Sequence, residues 1–267
     1  MASYQTLQVT RTGPVLTVAL NRPDVRNAFN DVVIDELDAV FGKDALDPAV
    51  RAVVLKGNGP VFCAGGDLNW MKKAVGFSYD ENLRDTRTLA KMFDRVNAFP
   101  KPLVGLVHGA AIGGAVGLVS VCDIVIASSE TLFSLSEVRL GIVPACIGPF
   151  VVAKIGASHA RALFLSADRV PAARAKEIGL VHEVVASPAE LEAAGKRVIE
   201  NIVQCGPGAL ATAKKLVLDL SWPERRMKQP DCLEYVAKML ADIRVSEEGQ
   251  EGVKAFLEKR KPSWLKG

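Results

Sequence analysis

The chain has 267 residues, of which 49% are hydrophobic and 24% charged, so it holds enough apolar material for a large folded core. Its 33 Lys and Arg residues are interleaved with 30 Asp and Glu residues, which argues against the basic stripe of a nucleic-acid-binding surface. Five scattered cysteines without CxxC spacing argue against a disulfide framework and a zinc site. Because no targeting segment is recognisable either, we expect a cytoplasmic protein without a metal.

Strands are predicted wherever apolar residues alternate or run together. In chain order these segments are residues 4–10, 15–20, 52–56, 103–107 and 124–127. Helical patterns lie between some of them. Asn30 is a candidate N-cap for a helix through Phe41, and residues 81–98 carry the apolar stripe of another helix.

From about Ile147 onward the pattern becomes almost wholly helical. We therefore expect the α/β class, with a core over residues 1–200 and a helical C-terminal region over residues 201–267. No repeat or low-complexity linker divides the chain.

The stretch from Pro102 to Cys122 has no Asp, Glu, Lys or Arg and is long enough to span a bilayer. It also contains five glycines and a histidine, and it is followed at once by Asp123. A buried strand, loop and helix explain this composition better than a membrane span, so we expect no membrane contact.

Two glycine-rich loops each follow a predicted strand: GNGPVFCAGGD over residues 57–67 and GAAIGGAVG over residues 109–117. Glycine allows a backbone to turn sharply and to approach a ligand closely, and the start of a helix leaves N–H groups unpaired. Two such loops can form an oxyanion hole. They can also be tight turns that allow close helix packing, and the loops alone do not decide between these interpretations.

Other nucleotide and nucleophile motifs are absent from the sequence. There is no Walker A loop, no GxSxG elbow and no GxGxxG spacing, and Tyr235 lacks the lysine that short-chain dehydrogenases require. The three histidines are isolated, so we interpret them as structural. A hydride-transfer enzyme is therefore the weaker hypothesis.

Glu137 lies in FSLSEVRLGIVP, between apolar residues. Burial of a carboxyl group in such surroundings raises its pKa, which suits a group that transfers protons. A capping role, or an ion pair with Arg139, is the alternative interpretation.

The segments VFCAGGDL, HGAAIGGAVGLVSVCDIVIAS and FSLSEVRLGIVP, with LNRPDVRNAF before them and EGVKAFLEKRKP near the end, resemble the enoyl-CoA hydratase/isomerase (crotonase) superfamily in order and spacing. The resemblance covers essentially the whole chain. It implies a crotonase-like spiral of ββα turns whose helical C-terminal region mediates trimer formation, giving a homotrimer or a hexamer built as a dimer of trimers. It also implies an acyl-CoA thioester substrate, with CoA as part of that substrate and no other cofactor.

The resemblance further implies which residues form the site. The backbone N–H groups of Gly66 and Gly114 would hold the thioester oxygen, and Glu137 would be the catalytic acid or base. The remaining residues implied to bind substrate or CoA are Arg26, Ala64, Asp67, Leu68, Trp70, Phe256 and Lys259. Phe256 and Lys259 would reach the CoA of a neighbouring subunit, whereas a solvated helix face is the alternative for Lys259. Trp70 is expected either to line the acyl pocket or to be plain core.

One departure from the family pattern concerns the acids. Family hydratases with two glutamates carry the first where this chain has Gly117, so only Glu137 remains. A single glutamate serves either a one-acid hydratase or a Δ3,Δ2-enoyl-CoA isomerase. Another carboxylate, such as Asp80, Glu81 or a different helical residue, is a candidate for holding the water.

Two stretches, FCAGGDLNWM and the segment through SEVRLGIVPACIGPFV, resemble bacterial methylglutaconyl-CoA and isohexenylglutaconyl-CoA hydratases of leucine and acyclic-terpene breakdown. That subgroup also has glycine in place of the first glutamate. We therefore expect a hydratase for a branched, carboxylated enoyl-CoA. A non-catalytic acyl-CoA-binding or RNA-binding relative is disfavoured by the presence of Glu137 and by the interleaved charge.

Overall fold

The computed structural model describes residues 3–221 and 231–265. The described residues form a six-stranded sheet in the order β1-β2-β3-β4-β6-β9 and a three-stranded sheet in the order β5-β7-β8. The strands are β1 (Leu7–Thr12), β2 (Val15–Leu20), β3 (Ala52–Gly57), β4 (Leu103–Val107), β5 (Ala110–Ile112), β6 (Ile124–Ser128), β7 (Leu132–Ser134), β8 (Arg169–Pro171) and β9 (Glu183–Val185).

The larger sheet begins with the antiparallel pair β1 and β2, in which Leu7 lies opposite Leu20. From β2 onward all its neighbours are parallel. The sequence pattern predicted the five longer strands, although β1 begins later than expected. It missed β5, β7, β8 and β9, because a three-residue strand is too short to show a period.

The helices are α1 (Asp31–Gly42), α2 (Leu68–Ala74), α3 (Tyr79–Ala98), α4 (Gly114–Val121), α5 (Gly148–Ser166), α6 (Ala172–Glu177), α7 (Pro188–Gln204), α8 (Pro207–Ser221), α9 (Cys232–Val245) and α10 (Glu247–Leu257). The N-cap prediction is confirmed, because the Asn30 side chain accepts the Val33 N–H at 2.9 Å. The expectation of an almost wholly helical chain after Ile147 is corrected by β8 and β9, which add to both sheets.

The described chain divides into two compact units. The first contains the described residues up to Phe99 together with Leu103–Ile199, and it holds both sheets. The second contains Pro100–Pro102 and the described residues from Glu200 onward, and its elements are helical. Among the described residues, no helix is both long and apolar enough to cross a membrane. The charge-free stretch forms β4, which is fully buried, then β5 and α4.

The sheet brings the two glycine loops to one edge. β3 and β4 are parallel neighbours, with Val53 opposite Leu103. The first loop follows the carboxyl end of β3, and the second follows the carboxyl end of β4. Because carboxyl ends of adjacent parallel strands lie at the same edge of a sheet, the two loops leave it side by side.

Candidate active site

The two glycine loops are joined by backbone hydrogen bonds soon after they leave the sheet. The Phe62 N–H donates to the His108 carbonyl at 2.9 Å, and the Cys63 N–H donates to the Ala110 carbonyl at 3.0 Å. In return, the Ile112 N–H donates to the Cys63 carbonyl at 3.1 Å. This ladder fixes the register of the loops just before their glycine pairs.

Each loop then presents one backbone N–H that has no acceptor among the described residues. In the first loop, Gly65 has a φ of +99°, a conformation that strains any other residue, and the N–H of Gly66 is unpaired. In the second loop, Gly113 has a φ of +56° and is bonded to the Ser134 carbonyl at 2.8 Å. Gly114 is the first residue of α4, so its N–H is one of the donors that a helix leaves unused.

Glu137 begins a short 3-10 helix, Glu137–Leu140, next to the second loop. A Cβ built on Gly113 would lie 3.2 Å from the Glu137 Oε1 atom, so the carboxyl group lies beside the glycine pair. The Glu137 Oε2 atom is buried and has no hydrogen-bond partner in the described part of the chain. Such an oxygen is available to a ligand or a proton.

The electrostatic setting of Glu137 is the one predicted from its apolar neighbours. Burial raises the pKa of its carboxyl group, and the opposing effect of its own backbone N–H is smaller. The alternative pairing with Arg139 is not present, because the Arg139 guanidinium donates to the Ala167 carbonyl at 3.1 Å. The prediction of a raised pKa is therefore confirmed.

The position of the missing first glutamate is filled with apolar side chains. A Cβ built on Gly117 would lie 2.3 Å from the Ile147 Cγ2 atom and 2.9 Å from the Phe93 Cε1 atom. Both neighbours are buried. Gly117 thus does not open space for a bulky substrate, because the protein occupies that space itself.

Asp67 has structural contacts for both its carboxylate oxygens. One accepts from the Arg22 guanidinium at 2.9 Å, and the other caps α2 by accepting the N–H groups of Asn69 and Trp70. Burial acts to raise the pKa of Asp67, but these donors together hold it below its ordinary value. Its predicted contact with substrate stays a prediction, and the contacts seen orient the segment immediately after Gly66.

The next two predicted substrate-binding residues are placed differently. Leu68 is 73% exposed at the start of α2. Trp70 is half-buried, and its side chain acts to lower the pKa of Asp85 on α3, which burial raises by a larger amount. Of the carboxylates considered for holding water, Asp80 is exposed and Glu81 is committed to its own helix, where it accepts from the Ser78 N–H and hydroxyl.

Arg26 and Ala64 are brought together, as their predicted role in lining one CoA site requires. The Ala64 N–H donates to the Arg26 carbonyl at 3.0 Å. Asn27 was not among the predicted site residues, although it is buried and donates to the carbonyls of Asn58 and Val61. Its left-handed φ of +55° is a backbone feature that only a structure reveals.

Phe256 and Lys259 lie in the second unit, at the end of α10. Phe256 is 82% exposed, and Lys259, also exposed, has a φ of +55°. The Lys259 N–H closes the helix by donating to the Phe256 carbonyl at 3.2 Å. Both side chains are therefore presented to solvent, and their predicted contact with CoA stays a prediction.

Two histidines have the structural contacts that the sequence led us to expect. The His108 Nε2 atom lies 2.8 Å from the Gly59 carbonyl, and the His182 Nδ1 atom accepts the Val125 N–H at 2.9 Å. Within residues 3–221 and 231–265, no group of three or more His, Cys, Asp or Glu side chains is placed to hold a metal ion.

The first unit therefore places two unpaired backbone donors and one partly buried carboxyl group around the start of α4. Two N–H groups aimed at a carbonyl oxygen stabilise the negative charge that develops there. A carboxyl group with a raised pKa can accept and return a proton near neutral pH. The arrangement suits a reaction that passes through an enolate.

Comparisons with known proteins agree with this chemistry. Residues 10–267 match the family model described as enoyl-CoA hydratase/isomerase. The 2,3-dehydroadipyl-CoA hydratase of Escherichia coli K12 is 32% identical over 259 residues, which is 97% of this chain and 98% of that relative. The peroxisomal Δ(3,5)-Δ(2,4)-dienoyl-CoA isomerase of Arabidopsis thaliana is 31% identical over 281 residues, covering 100% of this chain and 99% of the relative. The crystal structure of an enoyl-CoA hydratase from Shewanella pealeana has a TM-score of 0.91 at 38% identity, and the match covers 97% of this chain and 96% of that one.

Proposed function

Because this chain belongs to the enoyl-CoA hydratase/isomerase family, we propose that it adds water across the 2,3 double bond of a branched, carboxylated enoyl-CoA. The chain is an enzyme of the hydratase type with the crotonase fold. The observation that carries the proposal is Glu137, whose carboxyl group lies beside Gly113 and whose Oε2 atom is buried without a hydrogen-bond partner among the described residues. It is the acid or base that hydration requires.

In the proposed reaction, the N–H groups of Gly66 and Gly114 hold the thioester oxygen. They polarise the carbonyl and stabilise the enolate that forms when water attacks C3. Glu137 accepts the proton that the attacking water loses and then delivers it to C2, so the hydroxyl group is added at C3, the proton at C2, and the product is the 3-hydroxyacyl-CoA. The CoA is carried by the substrate, and the proposal needs no other cofactor.

The proposed substrate class is a glutaconyl-type ester, such as 3-methylglutaconyl-CoA or isohexenylglutaconyl-CoA. Its support is the resemblance of FCAGGDLNWM and SEVRLGIVPACIGPFV to hydratases of those esters, together with Gly117 at the first acid position. A hydration assay with both esters and with crotonyl-CoA tests it. We expect the highest kcat/KM with a branched ester, and a clear preference for crotonyl-CoA would contradict the substrate class.

A Δ3,Δ2-enoyl-CoA isomerase is the second candidate. It is favoured by the apolar packing of Ile147 and Phe93 at Gly117, which leaves one carboxyl group to carry a proton between C2 and C4. The dienoyl-CoA isomerase among the relatives also supports it. Absorbance of the conjugated thioester separates the two reactions. Hydration of a 2-enoyl-CoA removes this absorbance, whereas isomerisation of a 3-enoyl-CoA creates it.

We further propose that the helical C-terminal region assembles a homotrimer or a dimer of trimers, in which Phe256 and Lys259 contact the CoA of a neighbouring subunit. The support is apolar surface on α9 and α10, where Leu233 is 80% and Leu257 is 73% exposed. Light scattering tests the assembly. Lys259→Ala is expected to raise KM by about 1.5- to 5-fold, the effect of losing one exposed charge contact, with Lys254→Ala on α10 as the control.

A further inference from the structure

Phe29 lies just before α1 and belongs to neither glycine loop, yet its main chain is hydrogen-bonded to the first loop. The Phe29 N–H donates to the Gly65 carbonyl at 2.7 Å, and the Phe29 carbonyl accepts the Asp67 N–H at 2.7 Å. These bonds make Phe29 the parallel bridge partner of Gly66. Because they use the residues on either side of Gly66, they fix its position while its own N–H stays unpaired.

The ring of Phe29 supports the second loop. A Cβ built on Gly114 would lie 3.6 Å from the Cδ2 and Cε2 atoms of Phe29, an ordinary van der Waals distance. The ring therefore packs against the first residue of α4, whose N–H is the other unpaired donor. Phe29 is only 3% exposed, and its ring centroid lies 6.4 Å from that of Phe93. The ring is thus enclosed in the core.

The backbone ladder between the loops does not perform this task. Its hydrogen bonds pair Cys63 with Ala111, before either donor is reached. Beyond that point Phe29 contacts both donor residues, Gly66 through its main chain and Gly114 through its ring. Phe29 therefore links the two donor residues to one another.

We propose that Phe29 is a positioning residue that holds the Gly66 and Gly114 N–H groups in register as one oxyanion hole. This inference rests on the proposed function, in which both groups bind the thioester oxygen. Loss of one oxyanion donor lowers kcat by about 10²- to 10³-fold, and a displacement of about 1 Å can cost about 10²-fold. Removing the ring should displace a donor and leave the CoA-binding surface in place.

The test compares Phe29→Ala and Phe29→Leu with the same substitutions at Phe41. Phe41 is an equally buried phenylalanine, 2% exposed, whose ring packs on Phe99 and contacts neither loop. Two readouts are used: kcat and KM for a hydrated enoyl-CoA, and the infrared carbonyl stretch of bound butyryl-CoA carrying ¹³C at the thioester carbon. Butyryl-CoA cannot be hydrated, so its stretch reports polarisation alone.

We expect Phe29→Ala to lower kcat by about 10- to 100-fold with KM changed by less than about 3-fold, and to lose most of the carbonyl shift. Phe29→Leu, which keeps an apolar side chain, should recover part of both. The Phe41 variants should change neither value once the folded fraction is accounted for. If Phe29→Ala does not fold, the two leucine variants make the same comparison.

Three negative results have different meanings. A carbonyl shift and kcat that stay at wild-type values in Phe29→Leu and Phe29→Ala would overturn the role of Phe29 alone. Absence of any carbonyl shift in the wild-type protein would overturn the oxyanion hole, and with it the proposed function. Equal losses in the Phe29 and Phe41 variants would show that Phe29 serves general stability only.

Discussion

The first turn of α4 has two ends with opposite surroundings. At its start, Gly113 lies beside the carboxyl group of Glu137, one oxygen of which is buried and has no hydrogen-bond partner among the described residues. One turn later, Gly117 faces Ile147 and Phe93, which leave no space for a Cβ. The start carries hydrogen-bonding groups that have no partner among the described residues, whereas the other end is apolar and closely packed. In the proposed reaction, the packing at Gly117 as well as the residue present there therefore leaves acid-base chemistry to Glu137.

Replacing Glu137 should have the largest effect on activity, because the proposed reaction assigns all proton transfer to this carboxyl group. Glu137→Gln keeps the shape of the side chain and removes its ability to carry a proton. We expect kcat to fall by about 10²- to 10⁴-fold while the Kd for the CoA ester changes little. Glu177→Gln, at an exposed ion pair with Arg174, is the matched control. Near wild-type turnover in Glu137→Gln would refute the assignment.

Introducing a glutamate at Gly117, the position of the missing acid, should disrupt the apolar packing around this residue. In Gly117→Glu, a side chain must enter space that Ile147 and Phe93 already fill, and a carboxylate must be buried without a partner. We expect the free energy of unfolding to fall by at least about 3 kcal/mol, with no gain in hydration. Urea denaturation measures the loss. Gly76→Glu, where the only near neighbour of an added Cβ is 3.7 Å away, should be nearly neutral. A stable Gly117→Glu with faster hydration would contradict the account.

Shortening the side chain of Ile147 tests its contact with Gly117 from the Ile147 side. Ile147→Ala should lower the free energy of unfolding by about 2–4 kcal/mol, because it leaves a cavity beside Gly117. Ile142→Ala, at a position that is 53% exposed, should cost no more than about 0.5 kcal/mol. In the Ile147→Ala background, Gly117→Ala should cost less than it does in the wild-type protein, because the two sites are in contact. Strict additivity would show that they are not coupled.

The smallest expected effect is the change in the pH dependence of folding stability when Glu137 is replaced. Burial raises the folded-state pKa of Glu137 above its ordinary value, so the folded state binds its proton more tightly than the unfolded state does. This stabilisation of the folded state is present below the pKa that Glu137 has in the unfolded state. It is lost as pH rises through the raised pKa that Glu137 has in the folded state. Relative to the wild-type protein, Glu137→Gln should therefore gain stability as pH rises above the ordinary pKa of a glutamate, and urea denaturation at several pH values measures this gain. A gain on acidification instead would contradict the assigned burial.

Periodicity and motif spacing predicted the parts of the molecule that depend on local sequence. The longer strands, the Asn30 cap and the raised pKa of Glu137 all follow from residues near them in the chain. The three-residue strands escaped prediction, because their pairing and not their pattern defines them. The packing of Ile147 on Gly117 and the contacts of Phe29 also join residues far apart in the chain. No local pattern encodes such contacts, so the reason for a single acid became visible only in three dimensions.

The most direct test of the account is the product formed from 3-methylglutaconyl-CoA in ¹⁸O-labelled water, read by mass spectrometry alongside the absorbance of the conjugated thioester. The account predicts that the absorbance falls and that the product is heavier by one molecule of labelled water. Glu137→Gln should form this product far more slowly. A product of unchanged mass, or full hydration by Glu137→Gln, would contradict hydration by a single carboxyl group.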